Sequence, residues 1–425
     1  MRPLSLLPVD PSTGSRLAGI QGLRALAAVS ILTFHVWVFS SPDKDPFELG
    51  PVSRYIVPQL PLGVTLLLLL SGFLLYRPFA AAIIRGAERP SLSRYLVNRA
   101  WRIFPAYWFI LLVTVFVFPT SLVRSESGPD DLARLSDPGL LLLNLLLLQG
   151  FVPDGVLTGI GPAWALTAVV TFYAVLPLLV LLAAALAARA STLRGRVVAA
   201  LVPAGALVLV GLAGKATAAF VVPPGPSGGW GADWHSVVER SFFGHADMFG
   251  FGLAVAVIHV QRADGRLRLP RWWRTAALAA MLAVALPTTK IFETEASDRI
   301  DAVSNFTYDF VMAAVGGLFL AFVLLPDPGS SRPWLLVRLL ETRLIVAVGV
   351  VSYSLFLWHG PLIFVLREHG ATFAGTGGVL ANELLVGCLA LGFSIITYRY
   401  LELPALLRKT RKPVAPTGGA AVPAA

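Results

Sequence analysis

The chain has 425 residues, 56% of them hydrophobic and 14% charged, and its mean hydropathy is +0.74. Soluble domains carry nearer about a quarter charged residues, so this composition excludes a water-soluble enzyme and leaves a protein of the bilayer. A formal net charge of +10 does not point to nucleic acid, because the arginines sit in short loops between apolar runs, where they set topology.

Residues 1–14 form an N-terminal cytoplasmic segment, and Pro8, Asp10 and Pro11 break any signal-peptide pattern in it. Apolar windows then predict helices at about 18–39, 60–82, 101–119, 164–187, 197–221, 245–261, 272–288, 305–325, 344–366 and 379–401, by the criterion of about 20 residues per span. The run Leu140–Val152, only about 13 residues long, reads as a re-entrant or peripheral helix. Charge supports that reading. The loop holding Arg77, Arg85, Arg89, Arg94 and Arg99 is basic, as are Arg189–Arg196, Arg262–Arg274, Arg332–Arg343 and Arg408–Lys412. Loops around Asp43, Asp45 and Glu48, around Glu126, Asp130, Asp131 and Asp137, and around Glu293, Glu295 and Asp298 lean acidic. With ten spans every basic loop is cytoplasmic and both termini lie inside; an eleventh crossing at 140–152 breaks the alternation. Pro223–Asp233 reads as an external loop and 411–425 as a disordered cytoplasmic tail. The expected fold is an all-α integral membrane bundle of about ten transmembrane helices, one domain over residues 15–410. The single cysteine, Cys388, excludes an intramolecular disulfide and a Cys-based zinc site, and no metal is expected.

Polar residues at membrane depth are the informative ones, because each costs free energy unless it faces the bundle interior, a partner or water. In the first span Arg24 and His35 are eleven residues apart, which returns to within about 20° of the same face and separates them by about 16 Å along the axis. They line one groove at two depths. Arg99 and Arg102 open the third span on one helical face; guanidinium forks suit phosphate, and the same pair also serves as a positive-inside anchor. Trp164 and Thr167, His245 and Asp247, Tyr308 and Asp309, Tyr353 and Trp358-His359, and Glu383 all fall in the outer half at the level of His35, which predicts a polar cavity there. A cytoplasmic arginine layer can hold a phosphorylated donor such as coenzyme A, whose arm presents a thioester deeper in the membrane. A neutral imidazole at that depth can take the proton of an acceptor hydroxyl as it attacks the thioester carbonyl. The layout suits acyl transfer with the donor entering from inside and the acceptor from outside.

Gly22-Leu23-Arg24-Ala25-Leu26-Ala27-Ala28 running to Phe34-His35 resembles the Arg-x10-His signature of the membrane acyltransferase-3 family. The resemblance continues through Leu62-Gly63-Val64-Thr65 to Leu70-Ser71-Gly72-Phe73-Leu74-Leu75, through Arg99-x-x-Arg102, and through Tyr353-Ser354-Leu355-Phe356-Leu357-Trp358-His359 to Tyr398-Arg399-Tyr400-Leu401-Glu402-Leu403-Pro404, covering about residues 15–410. It implies a bacterial cytoplasmic-membrane O-acyltransferase of about ten spans. Such an enzyme takes an acyl group, usually acetyl, from acyl-CoA as co-substrate, without a permanently bound cofactor. Its acceptor is a hydroxyl of a sugar, a lipid-linked glycan or glycolipid, or a secondary metabolite. His35 is then the catalytic base, and Arg24, Arg99 and Arg102 bind the donor or shape the site. Among the polar residues of the outer half, Trp164, Thr167, Tyr353 and His359 are expected to meet the acceptor. One departure stands out: where the family often reads Trp-Ser/Thr-Leu-Ser/Thr-Val-Glu, this chain reads Trp164-Ala165-Leu166-Thr167-Ala168-Val169, without the carboxylate. Because a carboxylate fixes an imidazole's tautomer and stabilises imidazolium, Asp247 is expected in its place as the partner of His35, with Asp309 and Glu383 as substitutes. A transporter or flippase for a glycan or lipid-linked substrate, and an inactive family member, remain alternatives.

Overall fold

The computed structural model describes residues 17–40, 53–122, 132–133, 135–224, 230–295, 302–325 and 334–410. The segments 1–14 and 411–425 and the acidic residues Asp43, Asp45, Glu48, Glu126, Asp130, Asp131 and Asp298 lie outside that set. Ten long helices run in chain order: α1 (Ile20–Ser40), α2 (Leu62–Arg85), α3 (Leu92–Leu112), α4 (Trp164–Ala188), α5 (Leu193–Phe220), α6 (Phe242–Ala263), α7 (Trp273–Glu295), α8 (Ala302–Leu324), α9 (Arg343–Glu368) and α10 (Thr376–Thr397). Among the described residues nine helical segments are long and apolar enough to cross a membrane. The predicted span at 272–288 coincides with α7, a helix of 23 residues whose described side chains run to Val284. Each predicted apolar window falls on one of the ten long helices.

Local chemistry sets the ends. Ser91, Asp137, Thr192, Asp233 and Ser241 each cap a helix start with a side-chain oxygen that accepts a backbone N–H. Gly86, at φ +67°, ends α2 in the left-handed conformation that glycine adopts without penalty. The run near 140–152 folds as the eight-residue helix Pro138–Leu145 followed by a 3₁₀ turn at Gln149–Phe151. Eight residues rise about 12 Å, too little for a hydrocarbon layer of about 30 Å. A two-residue antiparallel ladder, Ser121–Leu122 with Leu132–Ala133, is the strand structure among the described residues.

Helix α6 packs most extensively on α5 and α2, and α1 lies along α9, which in turn packs on α10. Close approach of α1 and α9 needs glycine: a Cβ at Gly349 would overlap the Gln21 carbonyl, one turn from Arg24. Two π turns extend helices, Val113–Val117 after α3 and Tyr398–Glu402 after α10. Such insertions re-aim the side chains beyond them.

Candidate active site

Helices α1, α2, α3, α4 and α9 enclose a cavity of about 180 Å³. Arg24, Arg99 and Arg102 line it together with Val169, Tyr173 and Tyr353, and Val64, Ser71, Leu166 and Phe356 continue its wall. The predicted arginine layer is therefore one place. Arg24 leans on Gln21, its Nη1 donating to Oε1 at 3.4 Å. Arg102 donates from Nη1 to Glu402 Oε2 at 3.0 Å, and its guanidinium carbon lies 5.7 Å from the centre of the Tyr353 ring. Ser354 donates to the other Glu402 oxygen at 2.5 Å, and Arg24 adds its charge to the field on that carboxylate. Two donors remain over. Arg99 Nε and Arg102 Nη2 are buried without a hydrogen-bond partner, and buried guanidinium N–H groups without partners are costly unless an anion completes them.

Tyr353 donates its hydroxyl proton to the Ile103 carbonyl at 2.8 Å, which ties α9 to α3 at the floor of the cavity and leaves the ring face towards Arg102. Val169, where the resembled family carries Glu, lies in the cavity wall, so the carboxylate present in this site is Glu402 from the far end of the chain.

His35 and His359 meet beyond Phe356. His359 Nε2 is 2.9 Å from His35 Nδ1, and the His359 ring centre is 5.9 Å from that of Phe356. The His35 ring stacks on Phe39 at 5.6 Å with 6° between the planes, and Phe39 meets Phe364 edge-on at 5.0 Å. His359 is fully buried while His35 is half-buried.

Asp247 stands elsewhere. Its Oδ1 accepts from Lys215 Nζ at 2.6 Å, and the same ammonium donates to the Gly244 carbonyl at 2.6 Å, so the carboxylate that the sequence assigns to His35 is engaged between α5 and α6. Trp164 belongs to that neighbourhood: its ring lies 5.2 Å from His245 and 6.0 Å from the Arg240 guanidinium carbon. Thr167 faces Gly150 rather than the cavity, with its hydroxyl buried and without a partner. Glu383 accepts from Thr33 at 2.7 Å, and Tyr308 donates to the Pro58 carbonyl at 3.2 Å. The two neighbourhoods adjoin where Pro162, just before α4, packs against Gly360, the residue after His359.

Sequence reasoning missed Glu402, Ser354 and Lys215 as members of these clusters. Glu402 was visible as a motif residue but its partner was not. Lys215 was visible as a cation inside an apolar run, the signal that was used for Arg24 and passed over here.

Comparison with known proteins follows the same line. A family model described as "Acyltransferase domain" matches residues 17–399. A curated relative from Komagataeibacter xylinus, named "Putative membrane-bound transacylase BcsY", is 26% identical over 441 residues, covering 97% of this chain and 92% of the relative. No solved structure matches the chain.

Proposed function

The chain belongs to the acyltransferase domain family, and from that premise we propose that it moves an acyl group, acetyl by preference, from acyl-CoA to a hydroxyl of a sugar, glycolipid or secondary metabolite. The observation that carries the proposal is the convergence of Arg24, Arg99 and Arg102 on one cavity, with Arg99 Nε and Arg102 Nη2 buried and unpartnered. Charge-assisted bonds from such donors to a phosphate contribute about 1.5–3 kcal/mol each. Phe356 lines the cavity and its ring centre lies 5.9 Å from that of His359, so a donor anchored by its phosphates at the arginines extends its thioester past Phe356 towards His35. His35 takes the acceptor's hydroxyl proton, the oxygen attacks the thioester carbonyl carbon, the carbon–sulfur bond breaks, and the departing thiolate takes the proton back from the imidazolium. No net proton is consumed. Trp164, beside Arg240 and His245, is the contact proposed for the acceptor. The alternation of basic loops supports a cytoplasmic position for the arginine end in a bacterial cytoplasmic membrane, the side on which acyl-CoA is available.

The test is transfer of label. Membranes holding the protein are given radiolabelled acetyl-CoA and a panel of glycan, glycolipid and polyketide acceptors, and wild-type protein should yield a labelled ester that His35→Ala does not. Transport of an acceptor across vesicles with no labelled ester formed by wild type would overturn the transferase reading in favour of a carrier.

A further inference from the structure

We infer that His359 is the positioning residue for His35, holding it in the tautomer whose Nε2 is the free base and so standing in for the carboxylate that Val169 replaces. The inference rests on the reading of His35 as the base. A neutral imidazole carries one N–H, and the contact between His359 Nε2 and His35 Nδ1, 2.9 Å long, has room for one proton. Which ring supplies it is decided by the other nitrogen of His359. His359 Nδ1 lies 3.3 Å from the Leu355 carbonyl oxygen, which can only accept. That nitrogen therefore carries the hydrogen, His359 Nε2 carries the lone pair, and His35 Nδ1 is the donor. The reverse assignment sets two lone pairs against each other at Leu355, in surroundings where both His359 and Leu355 are buried.

The consequence is chemical. With Nδ1–H committed to His359, the lone pair of His35 is on Nε2, the nitrogen away from His359, and the stack on Phe39 holds the ring plane. When His35 takes the acceptor proton, its Nδ1–H bond to His359 becomes charge-assisted and shortens, so the positive charge is partly carried by a neutral partner. An acid–base partner without charge also fits the site: Asp247 is held by Lys215, and Glu402 by Arg102 and Ser354.

Three variants are purified in detergent and compared at equal amounts of monodisperse protein. His359→Phe fills the space without an acceptor; it should lower kcat by about 10²-fold or more while leaving KM for donor and acceptor within about twofold. His359→Gln, whose amide oxygen can accept from His35 Nδ1–H, should recover most of kcat. His35→Ala, run beside them, should be inactive. If His359→Phe keeps wild-type kcat, or raises only the acceptor KM, while His35→Ala is dead, the positioning role is overturned and the base assignment survives; an active His35→Ala overturns the base assignment itself. Nitrogen-15 NMR of histidine-labelled wild type gives a reading that needs no variant to fold. The Nδ1–H tautomer at His35 is the result expected, and the Nε2–H tautomer there overturns the proposal.

Discussion

Arg102 and Lys215 are both cations inside the helix bundle, and their surroundings differ in what is left over. Lys215 spends its ammonium on Asp247 Oδ1 and the Gly244 carbonyl at a crossing so tight that a Cβ at Gly211 or Gly214 would meet the α6 backbone. Arg102 spends one nitrogen on Glu402 and keeps Nη2 unpartnered beside a cavity that also exposes Arg24 and Arg99. Asp247 Oδ2 is likewise buried without a partner, so the contrast lies in sign and place: the Lys215 side leaves an acceptor over at a helix crossing, and the Arg102 side leaves N–H donors over beside a cavity, where an anion fits. The difference separates a packing device from a binding site among residues that the sequence lists side by side.

The sharpest way to test the contrast is at His35, on the cavity side. His35→Ala should lower turnover by about 10²–10⁴-fold with the protein still folded in the membrane, measured as ester formed per monodisperse protein. Retention of more than about a tenth of wild-type turnover returns His35 to a structural role.

On the packing side, Lys215→Met leaves Asp247 as an uncompensated buried charge and should cost about 3–5 kcal/mol of stability, read from detergent or denaturant unfolding. The double variant Lys215→Met, Asp247→Leu removes both charges and should regain most of that stability together with full activity. A well-folded but inactive double variant would break the contrast and place Asp247 in the chemistry, as the sequence expects.

Arg99→Ala and Arg102→Ala should each raise the acyl-CoA concentration needed for half-maximal rate by about tenfold to a hundredfold, from about 1.5–3 kcal/mol per phosphate contact, with the acceptor KM unchanged. Equal effects on donor and acceptor would mean that these arginines shape the site without gripping the donor.

The smallest effect belongs to a pair outside both regions. Arg85 donates twice to Asp264, at 2.6 and 3.2 Å, and these bonds hold the Asp264 carboxyl below the usual carboxylate range. A depressed carboxylate contributes stability that is present above the unfolded value of about 3.9 and is lost as pH falls through the folded value. Arg85 is half exposed and Asp264 partly covered, so with solvent screening Asp264→Asn should cost no more than about 1 kcal/mol near neutral pH and nothing in strong acid. A larger loss in denaturant titrations would mean that the α2–α6 end is held by this pair rather than by packing.

Hydropathy determined much of this molecule, because a bilayer span must be a helix of about 20 apolar residues whatever surrounds it. The sequence alone therefore placed the long helices, kept 140–152 from spanning, and put Arg24 with His35 on one helix and Arg99 with Arg102 on another. Partners across the bundle were a different matter. His35 meets a residue 324 positions away and Arg102 one 300 positions away. Such pairings depend on which helices lie side by side, and an apolar run does not state its neighbour. The expectation that Asp247 joins His35 followed charge complementarity, yet α9 packs along α1 while α6 packs on α2 and α5. Glu402 needed one thing more, the π turn at Tyr398–Glu402, by which it ends buried against Arg102. Composition and period act locally and are legible residue by residue; the hydrogen bonds that make a site act between helices, and only their packing decides them.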